Sequence, residues 1–408
     1  MNKYILVIFI SLISISKSFS QENELTKKEI KETIQLISET LINTYVDLEK
    51  ANKMSFDINK NSNKYKEIKD PKVFSKVLTK DLQRVSKDLH LKVNFEPKRI
   101  AQKKRVMPKE MLLKREKMMA MRMAEINYGF NEVKILTGNI GYLNLRMFAD
   151  LKYAKETAAA TMQFLEHTQA IIIDLRNNGG GVPNMVQFLA SYFTEAKPVI
   201  LSNFYERRTG EKTQLLTFKN IKGKINRPLY ILTSKKTFSA AEAFAYSLKH
   251  LKKAIIVGEQ TKGGANRTKR INLNNKFSIS VPYIKATHPV TMSNWEGIGV
   301  LPTLKTSKRD AFLKAYLEAV TTTVRRNKKN ILNKIGYSYL QEKKINNALI
   351  VFKKATKLYP KEANTWDSLA EAYLFKNDKE NALKAYQKAL LISPKSKALQ
   401  EKVNQLIK

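Results

Sequence analysis

Ser239 is the residue whose setting most directly allows chemistry. It stands in TFSAAEAF (237–244), after the strand-like run PLYILTS and at the head of an alanine-rich amphipathic segment, which reads as strand, short turn, helix. With Glu242 three residues on, it also forms a capping-box pattern, in which hydroxyl and carboxylate satisfy the orphan amides of a helix start. The same helix end favours negative charge beside it, as an attacking oxygen requires. A second stretch complements it: AIIIDLR runs into NNGGG (177–181), placing three glycines at the carboxyl end of a buried strand, where open α/β sheets bind ligands. Without a Cβ in the way, a backbone N–H there can face a developing oxyanion. The spacing fits neither G-x-G-x-x-G nor a lysine-bearing phosphate loop. A serine nucleophile needs a base and usually an orienting acid, and the chain has four histidines: His90, His167, His250 and His288. His167 and His250 fall at the ends of amphipathic helices, where the helix dipole accounts for them. His90 follows Asp88, and His288 precedes Pro289 in a loop; residue types alone leave both open.

These residues must be positioned by a chain of 408 residues, long enough for two or three compact units. From Glu24 to about Leu91, apolar positions recurring at helical spacing (Ile30, Ile34, Ile37, Leu41, then Phe74, Val77, Leu78, Leu82) predict a small helical bundle ending in DLHLKVNF. The Met-rich helical stretch KEMLLKREKMMAMRMAEI follows, its methionines expected to pack on a core. Between about 128 and 310, a hairpin turning at Gly138-Asn139, the buried strands AIIIDLR and KAIIVGE, and three intervening helices predict an α/β domain. In the tail, Leu332, Ile335, Gly336, Tyr339, Ala348, Phe352, Ala355 and Pro360 correspond to Trp366, Leu369, Ala370, Tyr373, Ala382, Tyr386, Ala389 and Pro394 at a period of 34. That is the tetratricopeptide pattern of helix pairs; two repeats are fewer than usually stand alone, so they should lean on the final residues or on the α/β domain.

Composition narrows the classes. The absence of cysteine excludes a disulfide framework, a thiolate metal site and a cysteine nucleophile, and no motif calls for a metal or cofactor. The formal charge of +38 would suit nucleic acid, but the lysines are scattered over every segment. The densest patch, ten Lys or Arg in residues 98–122, reads as a solvated helix face. MNKYILVIFISLISISKSFSQ has a basic start, an apolar run and small residues around Phe19, the pattern of a secretory signal over residues 1–20. The run is too short to span a bilayer. Export to the periplasm or beyond is therefore expected.

Taken together and in order, GNIGYLNLRMF, IIIDLRNNGGG, LYILTSKKTFSAAEAFAYSLK, VGEQTKGGAN and HPVTMSNWEGIGVLPT resemble the tail-specific (C-terminal processing) serine peptidases, in the branch of the interphotoreceptor retinoid-binding protein and the tricorn protease core. LTKDLQRVSKDLHLKV is similar to the cap that precedes the core in that branch. The resemblance implies a crotonase/ClpP-like α/β core over 128–310, a helical cap and linker over 21–127, and helical repeats over 325–408 (329–362 and 363–396, plus a terminal helix). It implies Ser239 as nucleophile, His90 as general base, Glu296 of NWEG as the carboxylate completing the charge network, and the N–H groups of Gly180 and Ala240 as oxyanion hole. Two departures stand out. The Ser–Lys members carry their lysine where this chain has Gly264, leaving Lys262 as the alternative base, and the serine that precedes the histidine in tricorn is replaced by Leu89. No peptide-clamping PDZ insertion separates His90 from the core. The implied activity is hydrolysis of peptides or unfolded protein tails, with the repeats docking a protein partner. The alternative is a non-catalytic carrier of apolar ligands or peptides on the same scaffold.

Overall fold

The computed structural model describes residues 24–104 and 108–407; the expected signal segment 1–20 lies outside the described residues. Thr26 and Glu29 close a capping box at the start of α1 (Lys27–Thr44), and Asp47 and Asp70 cap α2 (Leu48–Lys60) and α4 (Pro71–Ser86) on either side of the single-turn α3 (Ser62–Lys66). Their apolar faces meet in one cluster built around Ile30, Ile37, Leu41, Met54, Phe74 and Leu78. The helical bundle expected at the N-terminus is present, but it is not self-contained. Strand β1 (Lys92–Phe95) pairs antiparallel with β10 (Phe277–Thr287), and Phe277, Ile279 and Val281 of β10 complete the bundle's core. The cap is thereby tied to the α/β unit through a shared sheet.

Helix α5 (Pro97–Lys104) is followed by α6 (Lys109–Glu125). The expectation that its methionines pack on a core is overturned: no residue of α6 is buried, and Met111, Met118, Met119 and Met121 are all exposed. Helical periodicity records what a segment could cover, and among the described residues nothing buries these methionines.

The six-stranded sheet has the order β11-β8-β7-β4-β3-β2, from β2 (Phe130–Leu136), β3 (Ile140–Leu145), β4 (Ala170–Asp174), β7 (Leu229–Thr233), β8 (Ala254–Gly258) and β11 (Leu304–Lys305). β3, β4, β7, β8 and β11 run parallel and β2 closes the edge antiparallel. Every residue of β4 and β7 is buried, as parallel strands covered on both faces require. One face carries α7 (Leu151–Leu165), α8 (Pro183–Ser191) and α9 (Ala240–His250). The other carries α10 (Ala311–Thr323) and, continuous with it, the tail helices α11 (Lys328–Gln341), α12 (Ile345–Leu358), α13 (Ala363–Phe375), α14 (Lys379–Ile392) and α15 (Lys397–Ile407). Tyr230 and Leu232 of the sheet share one apolar cluster with Leu332, Phe352 and Leu399, so the repeats lean on both the α/β unit and the last helix.

The second sheet is antiparallel and was not anticipated: β10 pairs with β1, with β9 (Arg267–Asn272) and with β5 (Ile200–Glu206), which in turn pairs with β6 (Lys212–Leu216). Among the described residues no helix is long and apolar enough to cross a membrane.

Candidate active site

The carboxyl ends of β4 and β7 set the geometry. β7 ends at Thr233 and a tight turn, in which the Thr237 hydroxyl donates to Leu175 O at 2.8 Å, delivers the chain to Ser239 at the head of α9. Ser239 has φ 55° and ψ −120°, a backbone conformation a side-chain-bearing residue adopts only when its surroundings impose it. Glu242 is part of what imposes it. Its buried carboxylate accepts from the N–H groups of Ser239 (2.8 Å), Gly263 (2.7 Å) and Gly264 (2.9 Å) and from the Thr261 hydroxyl, pinning the helix start to the 261–264 loop. The Glu242 half of the capping box is thus formed. The Ser239 hydroxyl instead lies 3.1 Å from His90 Nε2.

His90 reaches Ser239 from the far end of the cap, just before β1. Its imidazole stacks at 4.5 Å on the Phe238 ring, and its side chain is 14% exposed. Gly264 is what admits it: a Cβ at position 264 would come within 2.6 Å of His90 Cε1 and 2.4 Å of the Phe238 ring. A side chain at position 264 would therefore exclude the histidine from its place beside Ser239. Lys262 is exposed, its amine 5.0 Å from the Phe238 ring centroid, and no hydrogen bond joins it to Ser239 among the described residues.

Two carboxylates stand behind the imidazole. Glu296 accepts from the Ala265 and Asn266 N–H groups at 2.7 and 3.0 Å through Oε2, while its buried Oε1 has no partner. Asp88, which residue spacing did not single out as functional, is completely buried. It accepts from the His90 N–H (3.1 Å), the Tyr45 hydroxyl (3.2 Å) and Asn266 Nδ2 (3.4 Å), and its Oδ1 lies 3.9 Å from His90 Nδ1. The position of Asp88 two residues before the histidine was the only available signal in the sequence. One ligand-type atom each of Asp88, His90 and Glu296 lies within 4.8 Å of the others. Neither carboxyl group hydrogen-bonds the ring: His90 Nδ1 is buried without a partner among the described residues, and Asp88 orients the residue through its backbone N–H.

Burial lowers the His90 pKa below its ordinary 6.5, with Asp88 opposing and Lys262 reinforcing the shift, so the ring is neutral and able to accept a proton at neutral pH. Burial, then the nearby Asp88 charge, pushes the Glu296 carboxyl up to about 8.

The glycine loop closes the site. Gly180 has φ +105°, and a Cβ there would meet Ser239 Cβ at 2.8 Å, so only glycine lets this loop lie against the nucleophile. The Gly180 N–H, expected to face an oxyanion, donates to Asn178 Oδ1 at 2.8 Å instead. Asn178 is itself buried and fixed by its Nδ2 donating to Leu145 O at 3.0 Å. Ala240 contributes the first amide of α9, one of those a helix leaves without an internal partner. Beside Ser239 opens a cavity of about 300 Å³ lined by both His90 and Ser239. His288, the other histidine left open by residue types, is 1% exposed and packs against Tyr246 and His250.

Comparison with known proteins bears on the family of the chain. Residues 139–306 match peptidase family S41, residues 24–130 match the N-terminal domain of peptidase S41 in eukaryotic IRBP, and residues 330–362 and 363–396 each match a tetratricopeptide repeat. The chain is 30% identical over 152 residues to a carboxyl-terminal-processing protease of Synechocystis, covering 37% of this chain and 34% of that one. It is 25% identical over 186 residues to the carboxy-terminal processing protease CtpB of Bacillus subtilis, covering 45% and 37%. The chain thus spans about a third of the length of these curated relatives. Among solved structures, a candidate peptidase from Parabacteroides merdae superposes with a TM-score of 0.50 at 16% identity, over 71% of this chain and 96% of that one, a likeness of fold.

Proposed function

Because the chain belongs to peptidase family S41, we propose that it is a serine endopeptidase that cuts unstructured peptides or protein tails through an acyl-enzyme on Ser239. The observation that carries this reading is the 3.1 Å approach of Ser239 Oγ to the buried, neutral His90 across 149 residues of sequence. His90 Nε2 takes the Ser239 proton as Oγ attacks the peptide carbonyl. Asp88 stabilises the imidazolium so formed and also fixes the His90 backbone, while Glu296 beside it gains negative charge only as pH rises toward about 8. The Ala240 amide receives the oxyanion, joined by Gly180 once its N–H exchanges the Asn178 side chain for substrate. Each such donor lowers the barrier by about 3 kcal/mol. His90 then hands its proton to the leaving amine, and water releases the acyl group by the same route in reverse.

Apolar surface in the cavity favours one other reading, a carrier of apolar ligands. A carrier has no use for a strained serine under a buried imidazole. Export follows in this reading from the N-terminal segment, and the tetratricopeptide helices dock a substrate or an adaptor. The test is labelling of the purified protein with a fluorophosphonate, alongside turnover of an unstructured protein. Ser239→Ala and His90→Ala should abolish both signals while Lys262→Ala keeps them. Absence of labelling in the unaltered protein would leave the carrier ahead, and loss with Lys262→Ala alone would make Lys262 the base.

A further inference from the structure

Of the polar residues that line the cavity beside Ser239 without a part in the chemistry above (Ser202, Ser247, Arg267 and Thr268), Ser202 is the one whose buried hydroxyl has no partner. The apolar walls of the cavity are Val186, Phe204, Leu215, Ala243, Ala286 and Trp295. Ser202 also lines it; the residue is 6% exposed, and its hydroxyl is buried without a hydrogen-bond partner. An unsatisfied buried hydroxyl costs about 1–3 kcal/mol, so alanine would serve a purely apolar pocket better. Strand alternation puts Ser202 on the same face of β5 as Phe204, turned toward the cavity, while Leu201 faces the core.

The depth at which Ser202 sits can be read from α9. Ala240, Ala243 and Ser247 follow one another along a single face of that helix, and all three line the cavity. Seven residues of helix from Ala240 to Ser247 measure about 10 Å. The Ser247 hydroxyl donates to Leu201 O at 3.1 Å, so the strand bearing Ser202 meets α9 at that distant level. Ser202 therefore lies at the far end of an apolar cleft whose near end is the nucleophile. The small side chains of Ala240 and Ala243 leave the cleft open, and Phe204, with the Arg267 guanidinium 5.1 Å from its ring centroid, and Trp295 line it.

Resting on the peptidase reading, the geometry points to a specificity pocket for tyrosine on the acyl side of the bond that is cut, its ring between the apolar walls and its phenolic hydroxyl paired with Ser202 Oγ. An aliphatic side chain of similar reach leaves that hydroxyl unpaired, and phenylalanine differs from tyrosine by this one hydrogen bond. Sites built to pair a substrate hydroxyl discriminate against the analogue lacking it far more strongly than apolar pockets discriminate by size.

Two quenched peptides identical but for Tyr or Phe at the cleaved position test this, with cleavage sites mapped by mass spectrometry. In the unaltered protein the tyrosine peptide should be cut with kcat/KM at least about 10-fold above its partner, and Ser202→Ala should bring the two within about twofold mainly by slowing the tyrosine peptide. Its thermal midpoint, measured in parallel, should not fall, since the hydroxyl removed has no partner. Equal rates on both peptides in the unaltered protein, or a tyrosine preference that survives Ser202→Ala, would overturn the pocket assignment while leaving the activity standing. Cleavage of the unstructured protein exclusively after residues other than tyrosine would do the same. No turnover together with no fluorophosphonate labelling would remove the peptidase reading and the pocket with it.

Discussion

Two imidazoles are buried in this molecule, and they have opposite surroundings. His288 is 1% exposed, sits in the loop after β10 and touches aromatic rings: Tyr246 at 5.6 Å and His250 at 5.8 Å. Its Nε2 has no partner, and burial with the neighbouring His250 pushes its pKa down to about 4. His90 is slightly less buried and is flanked on one side by a hydroxyl and on the other by two carboxylates. Burial lowers the pKa of both rings, so burial alone does not distinguish a base from a packing group. The difference lies in what happens when a proton arrives. At His90 the imidazolium meets Asp88 and Glu296, whereas at His288 it meets a second imidazole and the ring of a tyrosine.

The sharpest break of that comparison is to remove each ring in turn. His90→Ala should lower kcat/KM on an unstructured protein by about 10³-fold or more, as loss of a triad member does. His288→Gln should leave it within about threefold and act on the unfolding midpoint instead, because a buried packing group is altered. Comparable losses from both would mean that His288 also serves the reaction. A smaller effect is expected from crowding His90 without removing it. Gly264→Ala places a methyl 2.6 Å from His90 Cε1, on a loop held rigidly by Glu242 and by the Trp295 Nε1 donating to Gly264 O at 2.8 Å. Displacing the ring by a fraction of an ångström should cost about 10²-fold in kcat, with circular dichroism unchanged. Retention of full activity would show that His90 is not held in place by this contact.

How much of this could be read from residues alone follows the range over which each signal acts. The tail was legible because a period of 34 fixes which helix faces meet, and the Ser239 turn was legible because strand, turn and cap chemistry are local. The second sheet was not: β5, β6 and β9 are short and mixed in burial, and their partner β10 also completes the cap's core, a pairing no local pattern encodes. α6 misled in the opposite direction, since methionines at helical spacing look the same with or without a partner. Asp88 escaped notice because its function depends on burial next to Tyr45 and Asn266, residues 43 positions before it and 178 after. The engagement of Gly180 by Asn178 is likewise a matter of one side-chain rotamer, invisible in NNGGG.

The two carboxylates behind His90 give the most specific effect. Glu296 has its pKa raised to about 8 from an ordinary 4.5 by burial and by Asp88, so the folded protein holds a proton there that the unfolded chain releases. The stability this contributes is therefore fully present below pH 4.5 and is lost as pH rises through about 8. Glu296→Gln keeps the shape and the neutral state but cannot ionise. Its urea midpoint relative to that of the unaltered protein should climb between pH 5 and pH 9, by the equivalent of about 4 kcal/mol for a pKa raised from 4.5 to about 8. A difference that stays constant across that range would mean that Glu296 is ionised throughout.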